Sequence, residues 1–355
     1  MTSMLTHAWF GGLFADPEVA DILSPASELM RFRKIEAAWT MALSDVGAAD
    51  RKICEKAVDY IMSVVIEDDM LRAGVVQDGL PIPAFVRTLK ATAPEPFKEV
   101  LHVGLTSQDV MDTALTLSLA PIFELFRERL VALNDALQFL AGQNGGRYLM
   151  GYTRMQAALP VTADARILTW QRPLSDYIST LDQMAVKLAV LQWGGPVGLR
   201  DHEKAAELGA AFAARLGVRD LGHAWHTTRA DIAELGSFIA RLTGSLAKMG
   251  QDTAMMAQRG PEDITLKSGG SSSAMPHKQN PILSEMLVTL AQYSAQQATL
   301  LNVAMVHEQE RSGTAWVLEF MALPDLLQVC GCALNTAHSL TKQIVTVGSQ
   351  AVRSS

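Results

Sequence analysis

The chain has 355 residues, of which 49% are hydrophobic and 6% aromatic, and its formal net charge at pH 7 is −7. This length and hydrophobic content allow a large buried core and exclude extended disorder. The negative charge and the few aromatic side chains argue against a protein that binds nucleic acid. Any anionic substrate must therefore be bound by a local cluster of positive groups.

Three cysteines, Cys54, Cys330 and Cys332, are too few for a disulfide framework or a four-cysteine zinc site. We expect free thiols, which fit a reducing compartment. The N-terminus lacks the basic start and long apolar run of a secretory signal. Apolar stretches elsewhere are expected to be broken by charges before they reach membrane-spanning length. The sequence predicts a cytoplasmic protein with no membrane and no nucleic-acid partner.

The first helical pattern lies near the N-terminus. Apolar residues recur at steps of three and four between Leu29 and Val46, and charged residues such as Arg33 and Glu36 are predicted on the polar face. A second helix is predicted over residues 51–66. An irregular stretch is predicted where four prolines follow, namely Pro81, Pro83, Pro94 and Pro96.

Unusually long helical patterns come next. They cover residues 107–141, 229–259, 282–308 and 314–347. Pro121 predicts a kink in the first of them. A helix of about 30 residues spans about 45 Å, and few single domains can cover such rods, so the pattern favours an all-α, long-helix bundle in an oligomer. We find no convincing strand pattern.

Residues 269–281 read GGSSSAMPHKQNP and carry the densest set of reactive groups. Gly269 and Gly270 are predicted to act as hinges, and Pro276 and Pro281 forbid a continuous helix. We predict a flexible catalytic lid lined with proton-transfer and anion-binding groups. The alternative is a plain linker rich in Gly and Ser.

Three further polar segments interrupt the helical pattern. Residues 102–109 (HVGLTSQD) precede a long helix, whose free N–H groups can bind an anion or merely be capped. Residues 151–160 (GYTRMQAALP) contain Arg154, whose guanidinium fork suits a carboxylate or a surface salt bridge. Residues 307–312 (HEQERS) lack the spacing of a zinc protease helix, and His223 and His226 have no acidic or thiol partner nearby in the sequence. We predict no metal and no cofactor.

Together these segments resemble the fumarase/aspartase superfamily. Its signature loop GSSxMPxKxNP corresponds to SSSAMPHKQNP here, with Ser271 in place of the usual glycine. Alignment on Lys278 makes Ser272 the catalytic serine, with Ser271 and Ser273 as alternatives. Residues 102–112 are similar to the family's first conserved region, and residues 151–160 to its second.

The resemblance implies a homotetramer whose active sites are shared between subunits. It also implies an N-terminal helical domain (1–103), a central long-helix bundle with the active-site loops (104–325) and a short C-terminal helical remnant (326–355). The C-terminal domain of relatives is expected to be shortened or absent.

Within the superfamily, the chain is similar to the cycloisomerase branch, intramolecular lyases that lactonise 3-carboxy-cis,cis-muconate in the degradation of aromatic compounds. The pieces that carry this likeness are Glu310-Arg311 before Ala315-Trp316, and residues 194–198 (GGPVG). Adenylosuccinate and argininosuccinate lyases carry histidine where Arg154 stands. That histidine helps to protonate a departing amine, whereas a carboxylate, whose conjugate acid has a pKa of about 4, needs no proton.

The resemblance implies a small tricarboxylate substrate and assigns roles to particular residues. Ser272 would transfer the proton to or from carbon, and His102 would orient substrate or assist a proton relay. The groups that would bind substrate and hold the developing enolate-like charge are Thr106, Ser107, Thr153, Arg154, Gln156, Lys278, Asn280 and Arg311. A sulfo-substituted muconate, an amine-eliminating lyase and a non-catalytic protein stay open as alternatives.

Overall fold

The structure, a computed structural model, describes residues 3–271, 274–275 and 279–350. Short helices lead into the bundle: α1 (Gly11–Phe14), α2 (Pro17–Ile22), α3 (Pro25–Asp45), α4 (Arg51–Ser63), α5 (Asp68–Asp78), α6 (Ile82–Thr92) and α7 (Glu95–Lys98). The bundle itself contains α8 (Ser107–Asn144), α9 (Ala163–Leu188), α11 (Ala230–Arg259), α12 (Ile282–Val303) and α13 (Thr314–Gln343), whereas α10 (Ala205–Leu216) packs against α3. The predicted all-α bundle of long helices is confirmed.

The N-terminal helices share one apolar core with the start of α8. Trp39 of α3 packs against Phe212 of α10, and Phe32 of α3 against Phe85 of α6. The prediction of an irregular stretch around the four prolines is wrong, because α6 runs between them. Pro83 lies in the first turn of α6, where a helix has no intrahelical partner for the missing N–H.

Two charged residues predicted on the polar face of α3, Arg33 and Glu36, are buried. The Arg33 guanidinium donates to the carbonyl oxygens of Ile61 (2.5 Å) and Val64 (2.6 Å), at the C-terminal end of α4. These carbonyls have no partner within α4, so a cation there is stabilised by both hydrogen bonds and the helix dipole. Periodicity alone could not reveal such partners.

The long helices run in alternating directions. The first turns of α8, α11 and α13 meet, since Asp112 of α8 contacts Arg229, just before α11, and Trp316 of α13. The last residue of α8, Asn144, accepts a hydrogen bond from the Val347 amide beyond the end of α13 (3.1 Å). At 1.5 Å per residue, the 38 residues of α8 span about 57 Å. We call the two extremities of this rod the His102 end and the hairpin end.

Apolar faces bury the bundle core, which includes Leu119, Leu133, Leu242 and Leu326. All three cysteines are free and buried. The expectation that charges interrupt every long apolar stretch is wrong for α13, which is long and apolar enough to cross a membrane by length and composition. However, 61% of its apolar window is buried inside the protein, so α13 is a core helix of the bundle here.

The expectation of no strands is also wrong. The strands are β1 (Tyr148–Thr153), β2 (Gln156–Thr162), β3 (Ile264–Leu266), β4 (Gly270–Ser271), β5 (Gln279–Asn280) and β6 (Ile344–Val347). They pair antiparallel as β1–β2, β3–β6 and β4–β5. The predicted helix over 314–347 ends at Gln343 because the β-branched run Ile344-Val345-Thr346-Val347 pairs with β3 instead. The predicted helix over 282–308 likewise ends early, at Val303.

Candidate active site

His102 lies in the turn between α7 and α8, with a left-handed backbone (φ 55°). Its Nδ1 atom is 2.5 Å from Oε1 of Glu36 on α3. The Glu36 side chain is fully buried, and 13% of the His102 side chain is exposed. A non-glycine residue held at positive φ is strained, and such strain collects at functional sites. Sequence reasoning missed Glu36 as a site residue, because its partner His102 lies 66 positions away in the chain.

Thr106 and Ser107 form the start of α8, as predicted. Thr106 is buried and precedes the first helical residue, Ser107, which is half-buried. The Thr106 amide donates to Oδ2 of Asp109 (3.0 Å). This is the bond of a capping box in which the side chain of the third helical residue accepts from the N-cap amide. The N-terminus of α8 thus lies beside His102, where its free amides favour an anion.

Asp109 ties this helix start to the turn at 194–198. Its Oδ1 accepts from the Gly194 amide and its Oδ2 from the Gly195 amide (both 2.9 Å), and Oδ1 also lies 2.8 Å from Nε2 of His226. A fully buried carboxylate is tolerated only when its lone pairs are satisfied in this way. His226 therefore holds a structural position. Among the described residues, no group of three or more His, Cys, Asp or Glu side chains is arranged to hold a metal ion.

A buried ionic cluster lies behind the His102 end. The guanidinium of Arg229 bonds to both oxygens of Asp112 (2.7 and 3.1 Å) and to both oxygens of Glu319 (2.9 and 2.5 Å). Burial opposes the charge, but the carboxylates of Asp112 and Glu319 hold the pKa of Arg229 above its ordinary value. His307 Nε2 lies 3.5 Å from Glu319. This cluster clamps three helix starts together, and no motif or spacing in the chain predicts it.

Arg311 belongs to the same end of the bundle. Its Nη2 donates to the carbonyl of Pro196 (2.9 Å). The turn it contacts lies close to the His102 turn, because a side chain at Gly195 would come within 3.0 Å of the Gly104 carbonyl. His102, Thr106, Ser107 and Arg311, all predicted from the sequence as site residues, are therefore brought together at the His102 end.

Thr153, Arg154 and Gln156 lie on the hairpin of β1 and β2, at the other end. Thr153 and Gln156 face each other across a two-residue turn made by Arg154 and Met155. Both turn residues have positive φ (47° and 66°), as a type I′ hairpin turn requires. The three predicted side chains are exposed at the tip of this hairpin.

The signature loop begins and ends at the hairpin end as well. Gly270 pairs with Asn280 across β4 and β5, close to β3 and thus to β6. The hinge role of Gly269 and Gly270 stays a prediction, and neither residue has a positive φ here. Both positions lack space for a side chain: a Cβ at Gly269 would lie 2.9 Å from the Asn280 carbonyl oxygen, and one at Gly270 would lie 2.5 Å from an Ile282 carbon. Of the predicted catalytic groups, Ser272 and Lys278 lie outside the described residues, as do Ser273 and His277.

The predicted site residues that the structure describes therefore lie in two groups, about 57 Å apart along α8. One group holds His102, Thr106, Ser107 and Arg311; the other holds Thr153, Arg154, Gln156 and Asn280. Among the described residues of a single chain the two groups do not meet, and we call each of them a half-site of the predicted active site.

The long-helix bundle and its polar loops define a lyase fold. The family profile described as "Lyase" matches residues 33–295, and the chain belongs to this family, within the fumarase/aspartase superfamily. Both the family match and the relatives described next support an enzyme of that superfamily.

Several relatives and solved structures resemble the chain over two thirds or more of its length, among them the following three. The chain is 34% identical over 245 residues to a 3-carboxy-cis,cis-muconate cycloisomerase of Pseudomonas aeruginosa, with 68% of this chain and 53% of that protein covered. It is 27% identical over 332 residues to trans-aconitate decarboxylase 1 of Mycosarcoma maydis, with 92% and 67% covered. The crystal structure of 3-carboxy-cis,cis-muconate lactonizing enzyme from Pseudomonas putida superposes with a TM-score of 0.87 at 27% identity, over 96% of this chain and 77% of that chain.

Proposed function

We propose that this protein is a cycloisomerase that lactonises a carboxylated muconate, with 3-carboxy-cis,cis-muconate as the substrate. The observation that carries the proposal is Arg154. It stands where amine-eliminating relatives carry histidine, and it is exposed at a hairpin tip. Within the described residues, no carboxylate of its own chain pairs with it, so its fork of donors is left for a substrate carboxylate.

The site is completed by other copies of the chain in a homotetramer. The His102 end attracts anions through the start of α8 and Arg311, and the hairpin end offers Arg154 and Asn280. A tricarboxylate needs positive groups on several sides, and neither half-site alone provides them. Antiparallel packing of two bundles would set the hairpin end of one copy against the His102 end of another.

The reaction then follows from the chemistry of the donors. An ionised carboxylate of the substrate adds to a carbon of the diene, and the displaced electron pair becomes a carbanion delocalised into a neighbouring carboxylate. Preorganised donors stabilise that enolate-like charge, and Ser272 delivers the proton to carbon. One proton is consumed per turnover. Arg154 remains a cation throughout, since a guanidinium does not release its proton in a protein.

An ultraviolet assay tests the proposal. Lactonisation removes conjugation, so the absorbance of 3-carboxy-cis,cis-muconate should fall when enzyme is added. Ser272→Ala should lose nearly all turnover while its circular dichroism stays that of the wild type. No fall in absorbance with folded wild-type protein would refute the proposed activity.

Other substrates are run in parallel as separate arms. Sulfo-substituted muconate tests for a change of substituent, and adenylosuccinate and argininosuccinate test for amine elimination. Because one relative is named as a trans-aconitate decarboxylase, trans-aconitate is included and release of carbon dioxide is measured. Turnover of one of these with none of carboxymuconate would replace the proposed substrate.

A further inference from the structure

We propose that Glu36 is a positioning residue that acts through His102: it holds the imidazole in one orientation and one tautomer, with the proton on Nδ1 and with Nε2 left for a ligand. Its kinetic consequence rests on the proposed function, whereas its structural basis does not. The proposal adds a helix outside the three polar loops to the catalytic machinery.

The contact between the two side chains is short and secluded. Glu36 Oε1 lies 2.5 Å from His102 Nδ1, and the Glu36 side chain is fully buried. Its second oxygen, Oε2, is buried with no hydrogen-bond partner in the part of the chain that the structure describes. A buried carboxylate with so little support depends on the one donor it has. The two residues therefore form a dyad.

The dyad decides where the histidine carries its proton. An ionised carboxylate can only accept hydrogen bonds, so Nδ1 must be the donor. Nδ1 then keeps its proton in the neutral imidazole and in the imidazolium alike. Nε2 is the nitrogen that gains or loses a proton, and it is also the one left for a ligand. A second group that orients the ring in this way is a recurrent device of histidine catalysis.

Helix α3 holds the whole His102 turn in place. Trp39 Nε1 donates to the Val103 carbonyl (2.8 Å), and Thr40 Oγ1 reaches the Val100 carbonyl (3.5 Å). Glu36, Trp39 and Thr40 lie three and four residues apart, so they share one face of the helix. That face is a rigid template for the strained backbone at His102, and the ring is oriented before any substrate arrives.

This arrangement suits a reaction that consumes a proton. When a hydroxyl has given its proton to the carbanion carbon, it is left as an alkoxide. Nε2–H of the imidazolium can return a proton to that oxygen, and water then restores the proton on Nε2. The reverse reaction moves the same proton the other way. Because Nδ1–H never dissociates, the relay needs no ring flip.

The test combines a mutant cycle with nitrogen-15 NMR of the imidazole. We expect Glu36→Gln to lower kcat/KM by about 10- to 100-fold, the range found when a metal-bound histidine loses the partner that orients its ring. His102→Gln should cost more, and the double variant should be no worse than His102→Gln alone. In wild type the neutral imidazole of His102 should carry its proton on Nδ1, whereas in Glu36→Gln part of the population should carry it on Nε2 instead, because an amide can donate as well as accept.

Lys34→Gln is the matched control, since Lys34 is an exposed residue of the same helix and belongs neither to the dyad nor to the face that holds the His102 turn. It should leave the NMR pattern unchanged and kcat/KM within about twofold. If Glu36→Gln does not fold, Glu36→Asp is used instead. Its side chain is one carbon shorter, so the carboxylate lies farther from Nδ1 of His102. Additive losses in the double variant, or an unchanged Nδ1 proton without Glu36, would overturn the proposal. The NMR measurement needs no substrate, so it still tests the role of Glu36 if the protein fails to turn over carboxymuconate.

Discussion

Asp112, in the first turns of α8, accepts hydrogen bonds from both terminal nitrogens of Arg229: Nη1 donates to Oδ2 (2.7 Å) and Nη2 to Oδ1 (3.1 Å). The same guanidinium binds Glu319 of α13, and all three side chains are almost fully buried. Removing the cation would leave two carboxylates unpaired in the interior. Arg229→Met is therefore expected to lower the free energy of unfolding by about 3–5 kcal/mol, as measured by urea denaturation.

Arg127→Met is the control for that experiment. Arg127 pairs with Asp182 on the surface, where about half of each side chain is exposed (52% and 49%). Exposed pairs contribute about 0–1 kcal/mol, so the control should lie within that range. Equal losses for the two variants would mean that the buried cluster is no more than an ordinary surface pair.

Substitutions at Arg154 distinguish bidentate binding of a substrate carboxylate from simple charge attraction. Under the proposed function, Arg154→Met would remove two charge-assisted hydrogen bonds to a substrate carboxylate and should cost about 2–4 kcal/mol of transition-state binding, on the order of 30- to 1,000-fold in kcat/KM. Arg154→Lys keeps the charge but not the fork, so it should fall between. Arg172→Met, at an exposed arginine of α9, is the control and should leave kcat/KM unchanged.

Arg154→His should not create adenylosuccinate cleavage, because a pocket for the purine would still be missing. Measurable release of fumarate from adenylosuccinate by this variant would contradict that expectation and favour an amine-eliminating ancestry of the site.

Met155 has a strained backbone, and it forms with Arg154 the two-residue turn that presents the Arg154 side chain. Its φ is 66°, in a region where a non-glycine residue costs about 1–2 kcal/mol. Met155→Gly should raise the free energy of unfolding by up to about 1 kcal/mol and keep activity, since the guanidinium stays on the turn. Met155→Ala retains the strain and should show no gain. A glycine variant less stable than wild type would mean that the methionine side chain is held by contacts in the assembled protein.

Variants from the two ends of the bundle should restore one another. His102→Gln and Arg154→Met disable different half-sites, so mixed oligomers contain sites with both residues intact. With random mixing and two contributing copies per site, about one quarter of the sites should recover. The assay is kcat after joint refolding of equal amounts. Mixed oligomers with no recovered activity would show that both half-sites come from one chain.

The cysteines should be inert in the folded protein. Burial raises the pKa of Cys54, Cys330 and Cys332 above the ordinary value, so less thiolate, the reactive form, is present at neutral pH. A chromogenic disulfide reagent should titrate none of them in native protein and all three in denaturant. Fast native reaction of any thiol would reveal local opening of the helix that carries it.

The long helices and the polar loops between them could be predicted from the sequence. The pattern over 229–259 matches α11, Ala230–Arg259, because a sustained apolar stripe has no other stable arrangement. The hairpin was missed because β1 and β2 are short and mostly exposed, so alternation is weak and Pro160 interrupts it. Tertiary pairing decided their conformation.

The candidate site was only partly predictable for a related reason. Motifs indicated His102, Thr106 and Arg154, since the types of reactive group are local properties of the chain. Glu36 and Arg229 act through partners 66 and 90–117 positions away. No periodicity encodes a contact of that separation. Buried charges of this kind are visible only once helices are packed.

The length of α8 fixes both the distance and the rotation between the Arg154 hairpin and His102. A helix advances about 1.5 Å and turns about 100° with each residue, so one inserted residue would swing the Arg154 hairpin by more than a quarter of a revolution relative to His102. Folding could absorb such an insertion near the middle of the rod, but the geometry between distant loops could not. Evolution of this chain should therefore tolerate substitutions on the outer surface of α8 far more readily than any change in its residue count.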